Sequence, residues 1–135
     1  MIQRIQSVYL GLVLVLNAIF VFTPLFGKIL DDPAAWMSST HIAALGFSAG
    51  VSIYSIFLFN NRTKQQLFVK VSSGFQVVAL GSSIGVLLSL GGIGSYLWDE
   101  VLSLVLVLLG IVFQFLALGG IKKDDALVRS MDRIR

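Results

Sequence analysis

The sequence contains no cysteine, which excludes disulfide frameworks, thiol redox chemistry and Cys-ligated metals or clusters together. Histidine is almost as scarce. His41 stands alone, so one chain supplies neither a bis-histidine haem nor a multi-His metal site. Charge is thin as well: charged residues make up 13% of the 135 residues, about half of the roughly 25% usual in soluble domains. A soluble domain this small has too much surface to cover with so few. The only acidic pairs, Asp31-Asp32, Asp99-Glu100 and Asp124-Asp125, fall in expected loops or the tail, where they read as solvation and helix capping. Hydrolysis needs a clustered base and nucleophile, and none can be assembled. The sequence therefore reads as non-enzymatic, with no catalytic residue, metal or cofactor.

What is present is apolar. Hydrophobic residues make up 56% of the chain, gathered into four runs free of charge, approximately Ser7 to Phe26, His41 to Phe59, Val71 to Leu90 and Val101 to Ile121. A helix needs roughly 20 apolar residues to cross a hydrocarbon core of about 30 Å. Lipid offers no water to backbone groups, so a spanning stretch is a helix or part of a closed barrel. Barrel strands alternate in polarity over about ten residues, and these runs do not. The expected fold is an all-α membrane protein of four transmembrane helices in an antiparallel up-down bundle (1–121), followed by a short amphipathic tail (122–135). The first run could be mistaken for a secretory signal, but its apolar stretch is long and the following Phe22-Thr23-Pro24-Leu25-Phe26 is too bulky for cleavage. Pro24 near its end leaves few backbone bonds to break.

Basic residues give the direction. Nine of the ten Lys and Arg fall on segments that four spans place on one side: Arg4, then Arg62, Lys64 and Lys70 in the middle loop, then Lys122, Lys123, Arg129, Arg133 and Arg135. The other side has Lys28 with Asp31, Asp32, Asp99 and Glu100. Short basic loops stay in the cytoplasm, so both termini are expected there. Trp36 and Trp98, with Tyr96, fall in the opposite loops, where amphipathic rings favour the headgroup region.

Helices in lipid associate through close packing and hydrogen bonds. Gly46 and Gly50 in the second span and Gly81 and Gly85 in the third have the GxxxG spacing, and predict a close pairing of those two helices. Ser48 and Ser52 are also four apart. Three carboxamides, Asn17, Gln76 and Gln114, lie inside spans. Equal depth lets Gln76 and Gln114 bond each other, with Asn17 expected nearer the midplane. Together they form the one candidate polar site within the spans, suited to a quinone or a lipid headgroup. Intramembrane ionisable residues, the usual mark of proton relays and coupled transport, are absent; His41 is expected at a span boundary. In the tail, Leu127, Val128, Met131 and Ile134 share one face and Arg129 and Arg133 lie opposite. Such a basic amphipathic segment suits an anionic lipid surface or a protein partner.

The opening Met1-Ile2-Gln3-Arg4-Ile5-Gln6-Ser7-Val8-Tyr9-Leu10 and the ending Gly120-Ile121-Lys122-Lys123-Asp124-Asp125-Ala126-Leu127-Val128-Arg129-Ser130-Met131-Asp132-Arg133-Ile134-Arg135 resemble those of a bacterial membrane-protein family designated domain of unknown function 4293. The middle loop, Asn60-Asn61-Arg62-Thr63-Lys64-Gln65-Gln66, is similar in character. Met131 departs from the pattern, standing where a smaller residue is expected. The resemblance implies four spans and residence in a bacterial inner membrane, and it supplies no catalytic residues. The distinctive residues thus gather at the cytoplasmic edge. That suits an accessory or scaffold subunit of a larger membrane complex, docking through Arg62, Lys64, Lys122, Lys123, Arg129, Arg133 and Arg135. A small lipid- or quinone-binding protein is the alternative, and a passive channel or transporter the third reading. Expected partners are membrane lipid and a larger complex or homo-oligomer, not nucleic acid.

Overall fold

The computed structural model describes residues 5–31, 35–91 and 98–132. Among them the regular structure is all helical: α1 (Ile5–Val21), α2 (Pro24–Leu30), α3 (Ala35–Phe57), α4 (Arg62–Ser89) and α5 (Trp98–Asp132). The helices α3, α4 and α5 are each long and apolar enough to cross a membrane, and α1 with α2 makes a fourth candidate only as a bent pair.

Proline causes that bend. Pro24 has no N–H to give, and its ring would collide with the Phe20 carbonyl if the helix ran on. The residue before a proline is driven to extended backbone, and Thr23 lies at φ −87°, ψ 155°. The Phe20 carbonyl so released is taken by the Thr23 N–H at 3.0 Å and the Thr23 hydroxyl at 2.7 Å. The chain then turns by 66°. The expected first span of Ser7 to Phe26 therefore ends at Val21. Pro24 starts a second helix instead of being absorbed into the last turn of the first. The α2 helix folds over one end of the bundle, burying Leu25 and Ile29, and Lys28 meets Glu100 of α5 at 3.1 Å.

The four long helices form a ring in which α1 and α4 each pack on α3 and α5. Their contacts run in opposite senses along each pair. Ser55 meets Gln65 and His41 meets Ser82 between α3 and α4, while Gln6 meets Asp124 and Asn17 approaches Gly110 between α1 and α5. Neighbours are thus antiparallel, as an up-down bundle requires. Two apolar clusters fill the ends. Near α2 lie Phe20, Leu25, Ile29, Ala44, Leu45, Ala79, Val86 and Val107; at the tail end lie Leu10, Val69, Ala117 and Ile121.

Several helices are longer than their apolar runs. The Asn61 side chain accepts from the Lys64 N–H at 3.1 Å and starts α4 at Arg62, nine residues before the expected span. This helix ends where Gly91 takes φ 110°, a left-handed conformation that glycine adopts without steric cost. Asp99 and Glu100 occupy the first turn of α5, where carboxylates favour the helix dipole. The α5 helix then continues unbroken for 35 residues, roughly 52 Å at 1.5 Å per residue. Residues 122–132 therefore extend the last long helix in line and do not form a separate segment.

The pairing of α3 with α4 is as expected, but its basis differs. Gly46, Gly50 and Gly81 lie on outward faces, and a Cβ at any of them would meet nothing within 4 Å. Gly85 touches only Met37, at 3.4 Å from a Cβ position. The close face carries Ser48, Ser52 and Ser72, all fully buried. Leucine at Gly46 and Gly50 is accordingly expected to leave the melting temperature in detergent nearly unchanged, within about 0.5 kcal/mol of stability. A loss beyond about 2 kcal/mol would return those glycines to an internal contact.

Candidate functional site

Midway along the bundle, one layer of amides and hydroxyls joins all four long helices. Asn17 of α1 and Gln76 of α4 exchange two bonds: Gln76 Nε2 donates to Asn17 Oδ1 at 2.8 Å, and Asn17 Nδ2 donates to Gln76 Oε1 at 3.2 Å. Ser48 Oγ of α3 donates to the same Gln76 Oε1 at 2.6 Å. Ser72 Oγ, one turn before Gln76, donates to the Ser48 carbonyl at 2.9 Å and lies 2.8 Å from Ser52 Oγ. From α5, Gln114 Nε2 reaches Ser72 Oγ at 2.8 Å and Ser48 Oγ at 3.2 Å. Room for the Asn17–Gln76 pair comes from Gly110, where a Cβ would stand 2.8 Å from Gln76 Nε2.

The structure thus brings Asn17, Gln76 and Gln114 together, with two differences from the sequence reading. The glutamines meet through Ser48 and Ser72 and not directly. Asn17 shares their level because α4 starts at Arg62, which puts Gln76 about 21 Å along its helix at 1.5 Å per residue. The serines were legible only as the Ser48–Ser52 spacing; the fit of Gly110 to Gln76 had no signal in the sequence. Of the layer's side-chain polar atoms, only Gln114 Oε1 is buried without a partner. The layer is neutral and largely satisfied by its own members. Its chemistry is to hold four helices in one register.

Above this layer His41 is fully buried, not at a boundary, because α3 starts at Ala35 and α2 covers it. The hydroxyls of Ser82 and Ser83 both donate to the Ala79 carbonyl at 2.9 Å. His41 Nδ1 lies 2.7 Å from Ser82 Oγ, within hydrogen-bond distance. Nε2 is buried without a partner, with the Phe20 and Phe26 rings centred 5.4 and 6.3 Å from the imidazole.

The tail end carries the second constellation. Gln6 Nε2 donates to Asp124 Oδ2, and Arg62 donates to the Asp124 carbonyl at 3.4 Å. Gly120 admits the Gln6 side chain, whose Cγ would lie 3.0 Å from a Cβ there. Gln6, Asp124 and Arg62, one from each of the three segments that carry the family resemblance, therefore meet at one place. Arg62 is half-buried in this junction, and Arg129 pairs with Asp125 at 3.1 Å. Lys64, Lys122 and Lys123 are exposed, whereas Arg133 and Arg135 lie outside the described residues. Beside the junction, a groove of about 440 Å³ opens between α1 and α5. Among the described residues no group of three or more His, Cys, Asp or Glu could hold a metal.

Apolar side chains such as Val15, Phe47, Val77, Leu108 and Phe115 face outward while Asn17, Gln76, Gln114 and His41 are buried. Among the described residues the fold is an all-helical bundle with outward apolar side chains, three helices long and apolar enough to cross a membrane and a fourth candidate from a bent pair, a pattern consistent with a helical membrane protein. The chain belongs to the family described as domain of unknown function (DUF4293), which matches it over residues 2–134. No curated protein and no solved structure matches it.

Proposed function

We propose that the protein is a non-enzymatic scaffold or accessory subunit of a larger complex in a bacterial inner membrane. It crosses four times, with both termini in the cytoplasm, and docks through its tail end. One observation carries the reading: the interior polar groups are satisfied largely by one another, with only His41 Nε2 and Gln114 Oε1 left over among the described residues, while the exposed chemistry is concentrated where α5 runs on past Ile121. That extension presents Lys122, Lys123, Leu127, Arg129 and Met131, all exposed, and meets the start of α4 at Arg62, two residues before the exposed Lys64. The apolar clusters on either side of the polar layer favour a scaffold over a conduit, because they interrupt any wet path along the bundle axis.

Affinity capture from mildly solubilised membranes is expected to bring down one larger membrane protein in fixed ratio. Lys64→Glu combined with Met131→Ser, a substitution pair outside the packed core, is expected to reduce that partner by about tenfold. Undiminished capture by the variant, or recovery of the protein alone, would overturn the docking face. Orientation has its own readout: alkaline phosphatase fused after Glu100 should be active and fused after Lys64 inactive. The reverse pattern would invert the topology.

A further inference from the structure

The groove between α1 and α5 has an apolar floor and walls that the docking role leaves unused, although Lys123 and Leu127 at its rim belong to both. One stripe of α5 forms its floor and one wall, with Phe115 and Leu116, then Gly119, then Lys123 and Leu127 following at helical spacing; Ile5 and Tyr9 of α1 form the other wall. Gly119 leaves the floor open, since a Cβ there would meet nothing within 4 Å. Phe115, Leu116, Ile5 and Leu127 are all exposed along the opening. The groove therefore communicates with the outside of the bundle and not with its core.

Its lining carries one cation, Lys123, and one carboxylate, Asp124. Asp124 turns its carboxylate to the Gln6 amide and has Arg62 at its backbone carbonyl, 3.4 Å away, so that with Lys122 the basic residues at this end outnumber it. Among the described residues Lys123 forms no salt bridge, and Lys122 beside it is exposed. The cation stands just past Ile121, the last residue of the apolar run, at headgroup level if the bundle crosses the bilayer as proposed above. From Lys123 back to Phe115 the helix rises over eight residues, about 12 Å at 1.5 Å per residue, along the direction in which an acyl chain descends. An apolar slot with a cation at its mouth matches the two halves of an anionic phospholipid, and basic pockets between transmembrane helices bind such headgroups.

We propose that this groove is a binding site for one anionic phospholipid, with the phosphate at Lys123 and an acyl chain along Gly119 between Tyr9 and Phe115. The inference rests on membrane embedding but not on docking to a partner. Native mass spectrometry of the detergent-purified protein with added phosphatidylglycerol is expected to show a one-lipid adduct, and phosphatidylcholine a weaker one. Gly119→Leu puts a side chain into the slot from a Cβ with nothing within 4 Å, and should cut the adduct about tenfold through the displaced acyl methylenes. Lys123→Gln should weaken it about fivefold and erase the preference for phosphatidylglycerol. Lys70→Gln, an exposed cation of α4 outside the groove, should leave it unchanged. Circular dichroism melting confirms that each variant is folded, and Lys123→Gln, a surface change, keeps the test open if Gly119→Leu is not. The site is overturned if the folded groove variants hold lipid as wild type does, or if Lys70→Gln loses as much as Lys123→Gln. A protein dimer that Gly119→Leu separates, in place of a lipid adduct, would also overturn it. Release of wild-type protein from membranes by alkaline carbonate would instead refute the embedding on which the site depends.

Discussion

Replacing Gln76 with leucine should lower the stability of the bundle by about 2–3 kcal/mol, while the same change at Gln114 should cost about 1 kcal/mol or less. The two residues share chemistry and full burial, so the difference comes from their partners. Gln76 accepts from both Ser48 and Asn17 and donates back to Asn17. Leucine would leave the Asn17 amide and carbonyl buried with no partner from α4. Each such bond inside a membrane protein is worth about 0.6 kcal/mol on average and up to about 1.7, and three are lost together. Gln114 contributes one amide nitrogen, split between Ser72 and Ser48, and its carbonyl oxygen is already unpartnered. Leucine removes that orphan, and Ser48 and Ser72 retain the bond from Ser72 Oγ to the Ser48 carbonyl. Reversible unfolding in mixed micelles measures both losses. Equal costs would show that the layer is not organised on Gln76.

Leucine at Gly110 should be at least as damaging, at about 2–4 kcal/mol, and its cost should depend on Gln76. A Cβ at Gly110 would lie 2.8 Å from Gln76 Nε2, 3.4 Å from its Cδ and 3.8 Å from Asn17 Oδ1. The obstacle is the far end of a flexible side chain, which could ordinarily swing away at little cost. Here that end is held by Asn17 and Ser48, so movement breaks the bonds that join α1 and α3 to α4. In a Gln76→Ala background the obstacle and the bonds are both gone, and Gly110→Leu should then cost about 1–2 kcal/mol less than in the wild type. A double-mutant cycle reads this coupling directly; strictly additive losses would mean that Gly110 acts through something other than Gln76.

These predictions depend on which face of each helix turns inward, and the sequence told only part of that. The glycine and serine stripes of α3 are equally small and equally spaced, Gly46 to Gly50 and Ser48 to Ser52, and the sequence reading assigned the contact to the wrong stripe. A helix that is apolar all round has no hydrophobic period to mark its buried side. What distinguishes the two stripes is that a serine hydroxyl needs a partner and a glycine does not. The same need drew Asn17, Gln76 and Gln114 inward, which is why the carboxamides were legible as a group while their pairing was not. Pro24 was recognised as a terminal feature. Its real consequence, a second helix lying across the bundle, depended on Phe20, Leu25 and Ile29 having a shared apolar surface to cover over His41.

By itself the sequence determined how many long helices there are, roughly where their apolar stretches lie, and which end of the bundle gathers the basic residues. Those properties follow from composition along a line: run length sets a helix's reach, and alternating segments must return to alternate ends. The tertiary structure alone decided that serines and not glycines form the close face between α3 and α4, that Gly110 makes room for the Asn17–Gln76 pair, and that Gln6, Arg62 and Asp124 meet at one junction. Each of these is a fit between residues far apart in the chain, fixed by hydrogen-bond geometry and by the space a missing Cβ leaves, and neither can be read until the helices are placed side by side.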